Sequence, residues 1–217
     1  MWDKIMKTSW EKFSREKLKK IFAPRQSATG PIEKRTIIDI GGGLRLDEKR
    51  SNRFDKKNLW IKDYLGEVDY KVLDKTNDYQ PDIVGDIHNL PLADNSVDAI
   101  ICFAVLEHVE EPQRAVREMH RVLKPGGCCM IYVPFLYYYH PMKSYYKDFY
   151  RFTYDGVKYL TRDFSQVEIE NVRGALSTVM NLFPLFSKKT KMFDWLDRLL
   201  GKQTSKQTSG YIAFCIK

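Results

Sequence analysis

The stretch TIIDIGGG, residues 36–43, decides how this 217-residue chain folds. An apolar, β-branched run carries Asp39 near its end and passes into Gly41, Gly42 and Gly43. Such a run reads as a buried strand, and the glycines after it leave bare backbone at its carboxyl end. That is where open α/β sheets bind their ligands.

Further runs of the same kind follow: YKVLD (70–74), DIVGD (82–86), VDAIICF (97–103) and CCMIYVPF (128–135). Between the last two, PQRAVREMHRVL (112–123) has the spacing of a helix. Pro112 suits its first turn, and Ala115, Val116, Met119, Val122 and Leu123 form its apolar face. Strands alternating with helices predict an α/β fold: a mostly parallel sheet with helices on both faces. Lys124-Pro125-Gly126-Gly127 reads as the turn into CCMIYVPF. A short helix over 156–161, a strand over QVEIENV (166–172) and a last strand over GYIAFCIK (210–217) complete the core.

The ends carry additions. Residues 1–25 read as an amphipathic basic helix, with Trp2, Ile5, Met6, Trp10, Phe13, Leu18, Ile21 and Phe22 at near-helical spacing, closed by Pro24. Residues 30–217 form the main domain, with a helical insertion at about 175–209 that contains MFDWLDRLL.

Composition sets limits. Residues 1–25 and 188–217 each carry a net +5 of the overall +8, so the body between them sums to −2 and is not basic. That placement disfavours nucleic acid as a partner. It also allows two readings of the ends: helices packed on the domain, or peripheral contact with an anionic membrane. No apolar run is long enough to span a bilayer, which predicts a cytoplasmic protein. Cys102, Cys128, Cys129 and Cys215 fall in strand-like runs without CxxC spacing or clustered histidines, so reduced thiols and no metal are expected.

The glycine turn leaves two nucleotide cofactors in competition. A dinucleotide needs its pyrophosphate on a helix N-terminus, favouring GxGxxG and an acid about twenty residues on. Here the last glycine position is Leu46, and Asp74 lies 31 residues beyond Gly43. The spacing disfavours NAD.

An acid followed by spaced glycines, Asp74 and Asp86 closing the next strands, ADNSVDAIICFAVLEHV (93–109) and RVLKPGG (121–127), in this order, resemble the class I S-adenosylmethionine-dependent methyltransferases of the type 11-like kind. Arg45 stands at the family's third glycine position. The resemblance implies a Rossmann-like fold of seven strands, the last antiparallel, with S-adenosylmethionine as cofactor and S-adenosylhomocysteine as product. By the same resemblance, Gly41 and Gly43 lie against the methionine part, with Asp39 supporting its amino group and the backbone of Phe103 and Ala104 beside it. Asp74 would hold the ribose hydroxyls, Asp86 the adenine amino group, and Ile87 would pack on the ring. A carboxylate suits an amino donor, and an apolar side chain suits a ring face.

Methyl transfer from a sulfonium is an in-line displacement, so the acceptor site must supply geometry and, for a hydroxyl, a base. PFLYYYHPMKSYYKDFYRFT (134–153) reads as a lid over the cofactor edge, with six tyrosines, His140, Asp148 and Arg151. Its His, then Asp-x-x-Arg-Phe-Thr, resembles bacterial methyltransferases associated with glycan and cell-envelope pathways, which implies a small-molecule or glycan or lipid-linked acceptor. His140 is the candidate base and Asp148 its orienter or an acceptor ligand. Tyr138, Tyr139, Arg151 and His108 are candidate acceptor contacts. The structural alternative pairs Asp148 with Arg151, lets Thr153 cap the next helix and leaves His140 exposed. Two other functions stay open: an RNA methyltransferase, and a non-catalytic cofactor-binding scaffold.

Overall fold

The structure, a computed structural model, describes residues 9–23, 34–46, 55–183, 185–186 and 190–217. Trp2, Ile5 and Met6 of the expected N-terminal helix lie outside the described residues.

Seven strands form one sheet: β1 (Arg35–Ile40), β2 (Val68–Asp74), β3 (Ile83–Val84), β4 (Val97–Phe103), β5 (Leu123–Pro134), β6 (Gln166–Asn171) and β7 (Gly210–Ile216). Their order is β3-β2-β1-β4-β5-β7-β6. The first five are parallel, and β7 runs antiparallel to both β5 and β6. The order reverses between β1 and β4, where doubly wound sheets open a crevice at their carboxyl ends.

Strand alternation makes two cores. Ile38, Ile40, Ile100, Cys102 and Ile131 face one side, under α2 (Pro112–Val122) and α3 (Tyr154–Leu160). Ile37, Ala99, Ile101 and Met130 face the other, under α1 (Ser9–Phe22). The basic α1 therefore packs on the sheet through Leu18, Ile21 and Phe22. Its buried Lys17 reaches both Glu168 oxygens at 2.7 Å, and the Arg15 guanidinium lies 4.3 Å from the Trp60 ring.

Three elements differ from the sequence reading, each for a local reason. DIVGD pairs over only two residues, because β3 is an edge and the Asp82 carboxylate takes the Val72 N–H at 2.7 Å in place of a backbone carbonyl. β5 begins earlier, at Leu123, so Lys124 to Gly127 lie within it, and Gly126 donates to the carbonyl of Lys217. The link from β1 to β2 carries a 3₁₀ run, Lys56–Glu67, with one fully buried side chain, Ile61. Such runs rarely exceed four residues.

The insertion folds as α4 (Ala175–Asn181) and α5 (Thr190–Leu199). Asp197 of α5, fully buried, accepts the N–H groups of Leu176 and Ser177 and so caps α4. All four cysteines are free, and burial pushes the Cys128 thiol up to about 11 and that of Cys215 to about 12. No described helix is long and apolar enough to cross a membrane.

Candidate active site

Parallel register sets the carboxyl ends of β3, β2, β1 and β4 side by side, and the chain turns after each supply one edge of the molecule. Gly41 and Gly42 sit at φ 74° and 62°, in the left-handed region, which lets the turn reverse sharply. Gly41 donates to the Leu73 carbonyl at 2.7 Å, fixing the turn to β2. A Cβ on Gly43 would stand 2.7 Å from the Phe103 Cβ, and one on Gly41 2.8 Å from Val105. Gly41 and Gly43 are thus required by close packing against the end of β4 and the turn after it.

Asp39 is fully buried beneath this turn. Its two oxygens accept from Gly43 N at 2.9 Å, Leu44 N at 3.0 Å and the Tyr70 hydroxyl at 2.7 Å. It therefore acts on the site by holding the glycine backbone. Tyr70, on the neighbouring strand, is a partner that nothing in the sequence flagged.

Asp74 closes β2, with Thr76 N at 3.3 Å from one carboxylate oxygen. Asp86 follows β3 and accepts from His88 N at 2.9 Å and His88 Nδ1 at 2.7 Å, with Lys75 Nζ at 3.3 Å. Burial raises the Asp86 carboxyl, but these donors outweigh it and leave it below its ordinary value. Ile87 is only 6% exposed, with its side chain in the core under β1 and β4. Phe103 ends β4, and Ala104 takes φ 53°, its N–H held by the Tyr132 carbonyl at 3.0 Å. These residues share one edge of the sheet.

The segment expected to be a lid, residues 134–153, runs from the end of β5 back across that edge. Phe149 and Tyr150 donate backbone N–H groups to the Glu107 carbonyl, and the Tyr150 hydroxyl donates to Glu110. At the far end, a turn around Met142 to Tyr146 reaches the segment after β2. There the Tyr79 hydroxyl lies 3.4 Å from Met142 Sδ, and the rings of Tyr79 and Tyr145 are 5.6 Å apart.

Arg151 organises the lid. It holds Asp148 through two nitrogens, at 2.5 and 2.7 Å, and its remaining donors go to the carbonyls of Tyr137, Tyr138 and Tyr150. Its five N–H groups are thereby directed within the lid, making it a positioning residue. The guanidinium holds the Asp148 carboxyl down at about 2. Asp148 also takes the His140 N–H at 2.7 Å, and Thr153 caps α3 through Gly156 N. Tyr138 donates its hydroxyl to the Asn181 carbonyl of α4, while Tyr139 is 76% exposed.

Beneath the lid lies a cluster that the sequence reading did not assemble. Glu107 is fully buried, and neither carboxylate oxygen has a hydrogen-bond partner. Nε2 of His108 stands 3.8 Å from Oε1 of Glu107, and Nε2 of His140 stands 3.7 Å from it. The two imidazole rings are 4.9 Å apart. The Glu107 carboxylate, with Asp148 behind, outweighs burial and raises the His140 imidazole above its ordinary value.

Residues 62–131 match the model of a family described as "Methyltransferase domain". The chain is 53% identical over 49 residues to a demethylmenaquinone methyltransferase of Paenarthrobacter aurescens, covering 23% of this chain and 19% of that protein. It is 33% identical over 105 residues to the ubiquinone/menaquinone biosynthesis C-methyltransferase UbiE of Vibrio cholerae, covering 44% of this chain and 39% of that one. The chain thus spans well under half the length of these curated relatives. Among solved structures, an S-adenosylmethionine dependent methyltransferase from Mesorhizobium loti superposes with a TM-score of 0.52 at 16% identity, over 93% of this chain and 96% of that one. The chain thus has the sheet order and fold of that structure, and its central segment is similar to a methyltransferase domain.

Proposed function

We propose that this chain transfers the methyl group of S-adenosylmethionine to a hydroxyl oxygen of a small-molecule, glycan or lipid-linked acceptor, releasing S-adenosylhomocysteine. The observation that carries the reading is the lid, which ties the end of β5 to Tyr79 and closes the Glu107, His108 and His140 cluster against the crevice edge. In this reading the cofactor's methionine lies along Gly41, Gly43, Phe103 and Ala104, supported by Asp39 through the turn. Asp74 takes the ribose, and Asp86 with Ile87 takes the adenine.

The acceptor enters between the lid tyrosines, Tyr138 and Tyr139, and His108. As the oxygen–methyl bond forms, the sulfur–methyl bond breaks and the sulfonium becomes a neutral thioether. The acceptor proton passes to His140, which at 32% side-chain exposure is the outermost member of the cluster. Asp148 and Arg151 hold His140 in place. Incubating a panel of acceptors with labelled S-adenosylmethionine tests the reading. Turnover that His140→Gln lowers by about 10²-fold or more supports it, and turnover unchanged by that substitution removes His140 from the chemistry.

A lipid-linked acceptor draws support from the insertion. Phe183, Leu185, Trp195, Leu199 and Leu200 are exposed there, beside Arg198 and Lys202. Apolar side chains flanked by cations suit an anionic lipid surface. Co-sedimentation should therefore be stronger with vesicles rich in anionic lipid than with neutral ones, and equal binding to both would exclude this mode of attachment.

A further inference from the structure

A fully buried carboxylate with no hydrogen-bond partner is costly, and a cation beside Glu107 would offset that cost. The nearest candidates are the two imidazoles, but at 3.7 and 3.8 Å neither hydrogen-bonds to it. Nδ1 of His108 lies 2.7 Å from the Lys147 carbonyl, and Nδ1 of His140 lies 2.8 Å from that of Tyr138. Each Nδ1 faces a backbone carbonyl, and this fixes each ring with its Nε2 toward the Glu107 carboxylate.

We propose that Glu107, His108 and His140 form a binding site for a divalent cation of the zinc class. Their ligand atoms all lie within 4.8 Å of one another. With two edges of 3.7 and 3.8 Å and the third no longer than 4.8 Å, a point equidistant from the three lies within about 2.4 Å of each, near the roughly 2.0–2.2 Å of zinc bonds to imidazole and carboxylate. Two imidazoles and one carboxylate are a known donor set for metals that keep an open position. Backbone carbonyls orienting the distal ring nitrogens are the usual second layer of such sites. Hard cations such as Mg²⁺ and Ca²⁺ need more oxygen ligands than the three residues offer.

Cation binding stands independently of the methyl-transfer reading; its role at the acceptor rests on that reading. In the metal-free protein His140 is the base; with the cation bound its Nε2 is a ligand, and an acceptor hydroxyl at the open position, acidified by the metal, would lose its proton to solvent water.

The test uses the full chain, stripped with chelator, dialysed against Zn²⁺ alone and analysed for metal content. The expected result is one zinc per chain, with affinity reduced at least tenfold in His108→Gln and in His140→Gln. Thermal melting confirms that each variant is folded, and either one suffices if the other is not. Zinc content below a tenth of an ion per chain, or affinity unchanged in a folded variant, overturns the proposal. Calorimetry with S-adenosylmethionine on the same preparation reports on the cofactor site separately, so one reading can fail while the other holds.

Discussion

Gly43 and Asp39 show how little freedom the glycine turn has. A methyl group at residue 43 would press on the Phe103 Cβ at 2.7 Å, backed by the Phe103 carbonyl at 3.1 Å. Backbone cannot move aside as a side-chain tip can, so Gly43→Ala is expected to cost about 1–3 kcal/mol, read as a lower urea midpoint with unchanged slope. Asp39 was legible as the acid of a strand-end motif, and the glycines as a ligand turn. Glu107 was not legible as a site residue, because a glutamate in LEHVEEP reads as the surface of a coming helix. Its partner His140 stands 33 residues away in sequence and is brought over it only by the lid. For the same reason the expectation of no metal, drawn from unclustered histidines, did not anticipate three donors meeting in space.

At the scale of elements, charge anchors what apolar periodicity shapes. Arg121 of α2 binds Glu118 through two nitrogens and Asp94 through a third contact, while Glu118 accepts the Leu90 N–H. The Arg121 guanidinium holds the Glu118 carboxyl below its ordinary value in the folded protein. A carboxyl depressed on folding stabilises the protein above its unfolded pKa and loses that contribution as pH falls through the folded one. Glu118→Gln should therefore flatten the fall in melting temperature below roughly pH 4; a slope identical to the parent's would show that the network does not couple to folding. Asp197 caps α4 from a different helix, so Asp197→Ala should destabilise by about 0.5–2 kcal/mol and speed amide exchange at Leu176 and Ser177. Exchange unchanged at those amides would mean that α4 stands without its cap. A helix was readable from MFDWLDRLL, whereas this cross-helix cap was not, since it depends on how two helices meet.

For the whole molecule, most strands and α2 could be placed from alternation and apolar spacing, and the acids at strand ends followed from them. What escaped were features fixed by neighbours in space: an edge strand trimmed to two residues, a long 3₁₀ link after the glycine turn, and a lid stitched to Glu107 and Tyr79. The carboxyl edge of β1, β2, β3 and β4 is proposed to hold an adenosyl group through contacts that need no pyrophosphate. Calorimetric titration of S-adenosylmethionine into the parent chain and into Asp74→Ala tests this most directly. One site per chain is expected in the parent and at least tenfold weaker binding in the variant, with NAD giving no heat. Absence of heat from the parent, or equal affinity in the variant, would contradict it.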